Sequence, residues 1–76
     1  MRRHAFVRAA WDEEALLWYV EDSDIAGLAT ESETLDGLRQ RIRDILPDLL
    51  HGIEDVPDQI EIDLIAHAHE RVQTAA

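Results

Sequence analysis

Three groups of residues have the types and spacing that could do chemistry. The first is WDEEALLWYVED, Trp11 to Asp22, where Asp12, Glu13 and Glu14 follow one tryptophan and Glu21 and Asp22 close the run after Trp18. A carboxylate pair can serve as general acid and general base when one member is desolvated and its pKa rises. Three consecutive acids in a short polar interruption are solvated and repel one another, so the run reads as a hairpin turn rather than a reaction centre. The tryptophans read as large apolar volume for a small core. With one Phe and one Tyr beside them, they do not make a stacking platform for single-stranded nucleic acid.

The second group is AHAH. His67 and His69, two apart on a strand, point to one side, with Asp63 on the same face farther along. A zinc site takes about three protein ligands when catalytic and about four when structural. Two histidines and a distant acid fall short, which favours exposed strand histidines at an oligomer or partner contact. His4 and His51 are isolated. The third group is Arg39, Arg41 and Arg43, of which the outer two lie one helical turn apart and could hold a phosphate. Beside Asp36, Asp44 and Asp48 they read instead as a charge-balanced solvated face. The three glycines are scattered, so there is no phosphate-cradling loop, and no Ser–His–Asp arrangement stands out. The expectation is a protein that is not an enzyme and carries no metal or cofactor.

The elements that must position these residues follow from periodicity. HAFVRAAW, His4 to Trp11, alternates so that Ala5, Val7, Ala9 and Trp11 face one way. ALLWYV, starting at Ala15 and extending to about Glu21, is a second strand rich in aromatic and branched residues. Either Trp18 and Val20 or Leu17 and Tyr19 could face its core; the tryptophan pair is preferred. EDSDIAG carries turn residues, and Leu28 to Ser32 is a short third strand. Thr34 is a good N-cap for a helix over 35–50, whose Leu35, Leu38, Ile42, Ile45, Leu46, Leu49 and Leu50 form one apolar stripe. Asp36 suits the first turn, and Asp36 with Arg39, and Arg41 with Asp44, are spaced to pair. Gly37 and Pro47 are blemishes; Pro47 predicts a kink or a separate short turn, and Gly52 is a plausible stop. After the loop HGIEDVPDQ, residues 60–70 alternate, with Ile60, Ile62, Leu64, Ala66 and Ala68 inward and Ile65 outward. The tail RVQTAA is frayed. The order β-β-β-α-β predicts an α+β fold: one helix on one face of a mainly antiparallel four-stranded sheet.

Seventy-six residues make a single domain, 1–76. A chain this short buries only about 60% of the surface it exposes when unfolded. Without cysteine it has no disulfide or Cys-based zinc site to help, so oligomerisation is the remaining staple. Seventeen acids face seven arginines and no lysine, giving a formal net charge of −10. That field repels phosphate backbones and argues against direct nucleic-acid binding. Between Ala9 and Leu38 lie nine acids, Asp36 among them, and no base. An extended acidic sector suits a basic partner; a plain solubilising surface is the alternative. The N-terminus does not read as a signal peptide, because Arg8 interrupts its apolar run. No window approaches the roughly 18 apolar residues of a membrane span, so a cytoplasmic address is the default expectation.

Trp11-Asp12-Glu13-Glu14-Ala15, Trp18-Tyr19-Val20, Asp24-Ile25-Ala26-Gly27-Leu28, Thr30-Glu31, Thr34-Leu35 and Leu46-Pro47-Asp48-Leu49-Leu50 together resemble the HicB-like antitoxin superfamily, above all its small stand-alone branch of unknown function. The resemblance covers roughly Val7 to Leu50. It implies a partial ribonuclease-H-like fold, β-β-β-α-β, and kinship with antitoxins that cover the active site of a small, basic, RNA-cleaving toxin of the HicA type. Ala26 stands where that superfamily usually has the proline of a D-x-P-G turn. The chain ends after its fourth strand, without the DNA-binding domain that many such antitoxins carry. The first strand offers Ala9 and Ala10 where a full ribonuclease H would need a buried acid, so the kinship carries no catalysis.

The leading expectation is thus a non-catalytic acidic module that presents Asp12, Glu13, Glu14, Glu21, Asp22, Asp24, Glu31 and Glu33 to a basic, HicA-type partner. The alternative is a self-associating structural module, a homo-oligomer without a toxin partner.

Overall fold

A computed structural model describes residues 2–51 and 59–75 of the chain. They form β1 (Arg2–Asp12), β2 (Leu17–Ser23), β3 (Glu31–Ser32), α1 (Leu35–Leu50) and β4 (Gln59–His67). The sheet order is β3-β2-β1-β4. β1 pairs antiparallel with β2 and β2 with β3, while β4 runs parallel to β1. The α+β class and the element order agree with the sequence reading, and the sheet is mixed. Gly52 and most of the expected loop lie outside the described residues. No helix among the described residues is long and apolar enough to cross a membrane.

The core sits between the sheet and the helix. Ala5, Val7 and Ala9 of β1 are buried against Leu38, Ile42 and Leu46 of α1, with Ile25 and Leu28 filling from the β2–β3 connection. Trp18 and Val20 pack against this cluster, which settles the register of β2 in favour of the tryptophan side. Ile60, Ile62 and Leu64 of β4 also join it but stay half-buried. The closest backbone approaches of α1 are to β3 and β2. The other face of the sheet carries no helix among the described residues.

Local chemistry explains where the elements start and stop. Thr34 has extended backbone angles and its Oγ1 accepts a hydrogen bond from the Gly37 N–H at 2.9 Å, satisfying a donor the first turn leaves unpaired. Gly37 lets the helix approach β3 closely rather than being a blemish. A Cβ there would come within 2.2 Å of Ser32 Oγ, so the first turn of α1 lies directly on β3. Gly27 has φ +81° and turns the chain after Ile25, a left-handed conformation that glycine adopts without steric cost. Pro47 does not divide the helix, which runs unbroken to Leu50 with Pro47 exposed.

Four expectations need correcting. β2 begins at Leu17, because residues 13–16 form the turn and Leu16 sits at φ 57°. The third strand is two residues long, extended only by a Val20 N–H bond to the Thr30 carbonyl; Leu28 turns back to bond the Ile25 carbonyl and plugs the core. β4 stops at His67, so Ala68, His69 and Glu70 lie in irregular chain. Arg41 does not pair with Asp44: Gln40 Nε2 reaches Asp44 at 3.0 Å from the four-residue spacing, whereas the Arg39–Asp36 pair forms at 3.4 Å.

Candidate partner-binding surface

The β1–β2 hairpin tip is built by Asp12. Its Oδ1 accepts hydrogen bonds from the N–H groups of Glu14 and Ala15 at 3.0 and 3.1 Å, and its carbonyl accepts from Leu16 N–H at 2.8 Å. An Asx turn of this kind imitates a backbone turn and fixes the loop. Asp12 is therefore a structural acid, half-buried at the end of β1. Glu13 and Glu14 project from the turn, and Glu13 Oε2 accepts the indole N–H of Trp11 at 3.0 Å.

Leu16 is the unexpected residue. It is the single described non-glycine residue with positive φ, and it is 60% exposed. The left-handed region costs an ordinary L-residue roughly 1–2 kcal/mol, and an exposed leucine recovers little of that by burial. Nothing in the sequence marked it, since its apolar neighbours made it look like strand.

Behind the tip, Trp11 and Trp18 are directly opposed in the antiparallel register, with ring centroids 5.4 Å apart and planes inclined at 59°. Tilted aromatic pairs of this geometry contribute about 0.5–1.5 kcal/mol beyond area burial. The rings remain half-buried, and they floor an open groove with Leu35, Ala68, Glu33 and Glu70. No basic residue lines it among the described residues. Glu70 was missed in the sequence because its approach depends on where the chain goes after β4.

The eight expected acids do not form one patch. Glu13, Glu14 and Glu33 lie around the tip and the groove, with Glu31 on the β3 edge opposite Tyr19. Glu21, Asp22 and Asp24 lie at the far end of β2. There the register slips between Arg8 and Ala9, so that Arg8 faces Asp22 while Ala9 faces Val20, leaving Glu21 as the extra residue. A bulge re-aims side chains, and Glu21 reaches across β1 to His67 Nε2 at 2.9 Å. Asp22 is 3.8 Å from Arg8, and Asp24 accepts the Phe6 N–H at 3.1 Å. These three tie β2 and the turn after it to β1 and β4. The carboxylates of Glu14, Glu31 and Glu33, by contrast, make no hydrogen bond or ion pair among the described residues.

The histidines are likewise separated. His67 is on β4, while His69 lies past its end, and no group of three or more potential ligands is gathered among the described residues. His4 is not isolated: it meets Asp63 across the β1–β4 pairing at 2.6 Å.

These features have a family. Residues 4–76 match the model of the domain of unknown function DUF1902, and the chain belongs to that family. The fold is similar to the crystal structure of the hypothetical protein TTHA1013 from the extremely thermophilic bacterium Thermus thermophilus, with a TM-score of 0.64 and 34% identity over 93% of this chain and 99% of that one. No curated protein matches the chain.

Proposed function

We propose that this protein is a non-catalytic protein-binding module of the HicB-like kind, with a partial ribonuclease-H-like sheet. In this reading it presents the hairpin tip and the tryptophan groove to a small basic protein such as an RNA-cleaving toxin of the HicA type. Leu16 is the observation that carries the reading. A strained backbone at a position where glycine would relieve it points to a use for the side chain, and this leucine stands exposed among Glu13 and Glu14. An apolar anchor, two half-exposed indoles and an acidic rim supply what an interface needs at its centre and edge. The acids set the sign of the partner: Arg or Lys can lie over an indole and pair with Glu33 or Glu70.

Co-purification with the product of the adjacent gene, at low and at moderate salt, tests the proposal. A basic protein recovered in stoichiometric amount supports it. The Leu16→Gly variant should then bind at least several-fold more weakly while melting no lower than the parent. Recovery of no basic protein at either salt concentration counts against it.

A further inference from the structure

We infer that β4 is an interface for a second copy of this chain, joined edge to edge and antiparallel with Leu64 opposite Leu64. This inference is independent of the functional reading above, since it concerns the other edge of the sheet.

β4 ends the sheet order, and among the described residues no strand pairs with its outer side. It is nine residues long, Gln59–His67. An edge of that length exposes a row of unpaired backbone N–H and C=O groups, which proteins normally shorten, bulge or cover. Among the described residues neither brevity, a bulge nor a covering element protects it, and the charges of Glu61 and Asp63 are its one guard: the register with β1 runs without interruption from Gln59 to His67. The inner face repeats the message. Ile60, Ile62 and Leu64 stay half-buried while Ala5, Val7 and Ala9, one strand inward, are nearly fully buried. On the outer face Ile65 is 50% exposed. Among the described residues no strand flanks either apolar row on its outer side.

Charge chooses the occupant and the register. An arrangement that keeps both helices on one side of a joined sheet pairs residues of like parity. Centring the two-fold axis on Ile62 sets Glu61 against Asp63, and centring it on Asp63 sets Asp63 against itself. Like charges directly opposite are destabilising. Centring it on Leu64 removes both clashes. Glu61 then opposes His67, whose Nε2 is held by Glu21 of its own chain, and Asp63, paired within the chain with His4, opposes Ile65. Ile62 opposes Ala66, and Leu64 meets its own copy. The half-buried apolar row becomes continuous across the axis, and each outward acid faces an imidazole or an aliphatic chain. Centring it on Ile65 also opposes no like charges, setting Asp63 against His67, but pairs only residues 63–67 of the strand, whereas the Leu64 axis pairs 61–67. QIEIDLIAH is thus self-complementary over its greatest length with Leu64 at the axis, as an isologous two-fold interface requires.

The absence of cysteine makes the register directly readable. Directly opposed Cα atoms in an antiparallel pair lie about 4.5–5.5 Å apart, within the range a disulfide spans. Diagonal positions lie roughly 7–8 Å apart, beyond it. The wild-type protein should sediment at twice the chain mass at high micromolar concentration. Under mild oxidation the Leu64→Cys variant should convert to a covalent dimer, whereas Asp63→Cys and Ile65→Cys, which sit diagonal to their own copies, should stay largely reduced. A wild-type monomer at that concentration would overturn the inference. So would cross-linking of Asp63→Cys as fast as Leu64→Cys, which places the axis elsewhere. Both results leave co-purification with a basic partner unaffected, so the two proposals fail separately.

Discussion

β3 closes one side of the sheet with two residues, Glu31 and Ser32, and the first turn of α1 lies so close to it that Gly37 has no room for a Cβ. β4 ends the other side with nine residues and no covering element among those described. Both edges pose the same problem of unpaired backbone groups. The first is solved inside the chain, by brevity and a helix. The second remains open among the described residues, and its isoleucines on the helix side stay half-buried.

Breaking the covered edge should be costly at every protein concentration. Leu38 is fully buried under the first turns of α1, and Leu38→Ala should cost about 2–5 kcal/mol, enough to leave the domain largely unfolded by thermal melting. Gly37→Ala should cost about 1–3 kcal/mol through overpacking against Ser32. Pairing it with Ser32→Ala should recover part of the loss, because the oxygen at 2.2 Å is the main obstacle. If the double variant is no better than the single, the contact is not what keeps the glycine. Thr34→Ala removes the cap that holds the helix over β3 and should cost about 1 kcal/mol, with Thr34→Ser close to the parent.

At the hairpin tip, which neither edge controls, the sign reverses. Leu16→Gly should raise stability by about 0.5–1 kcal/mol by relieving the left-handed backbone. The smallest effect belongs to the open edge. Asp63→Asn should change unfolding free energy by no more than about 1 kcal/mol, because the His4–Asp63 pair is well exposed. Over a protein dilution series the parent's melting temperature should fall with concentration, as association-linked stability must. A melt independent of concentration would erase the distinction between the two edges.

The helix is legible in the sequence because its stripe repeats at three and four residues, and burial of Leu38, Ile42 and Leu46 follows that spacing. The alternation of Ala5, Val7 and Ala9 is equally plain. That of β2 is not, because Leu17 and Tyr19 are apolar too, and only the core contacts of Trp18 and Val20 decide it. Boundaries are harder. Leu16 looks like strand because its side chain is apolar, whereas Asp12, by bonding two backbone N–H groups, commits it to the turn. Gly37 looks like a flaw because its reason, Ser32, is a contact with another element.

Local order, periodicity and charge were determined by the sequence itself, since they depend on neighbours within a few positions. These include one capped amphipathic helix, alternating strands, no thiol chemistry, and an acidic stretch of sequence between Ala9 and Leu38. Only the tertiary structure decided which acids are engaged. Glu21 and His67 are 46 positions apart, and His4 and Asp63 are 59 apart, so their meetings exist only because β4 crosses to lie parallel against β1. That crossover also made β4, rather than β1, the long open edge. Strand order depends on how a helix and four strands share one small core, and no local pattern encodes that competition.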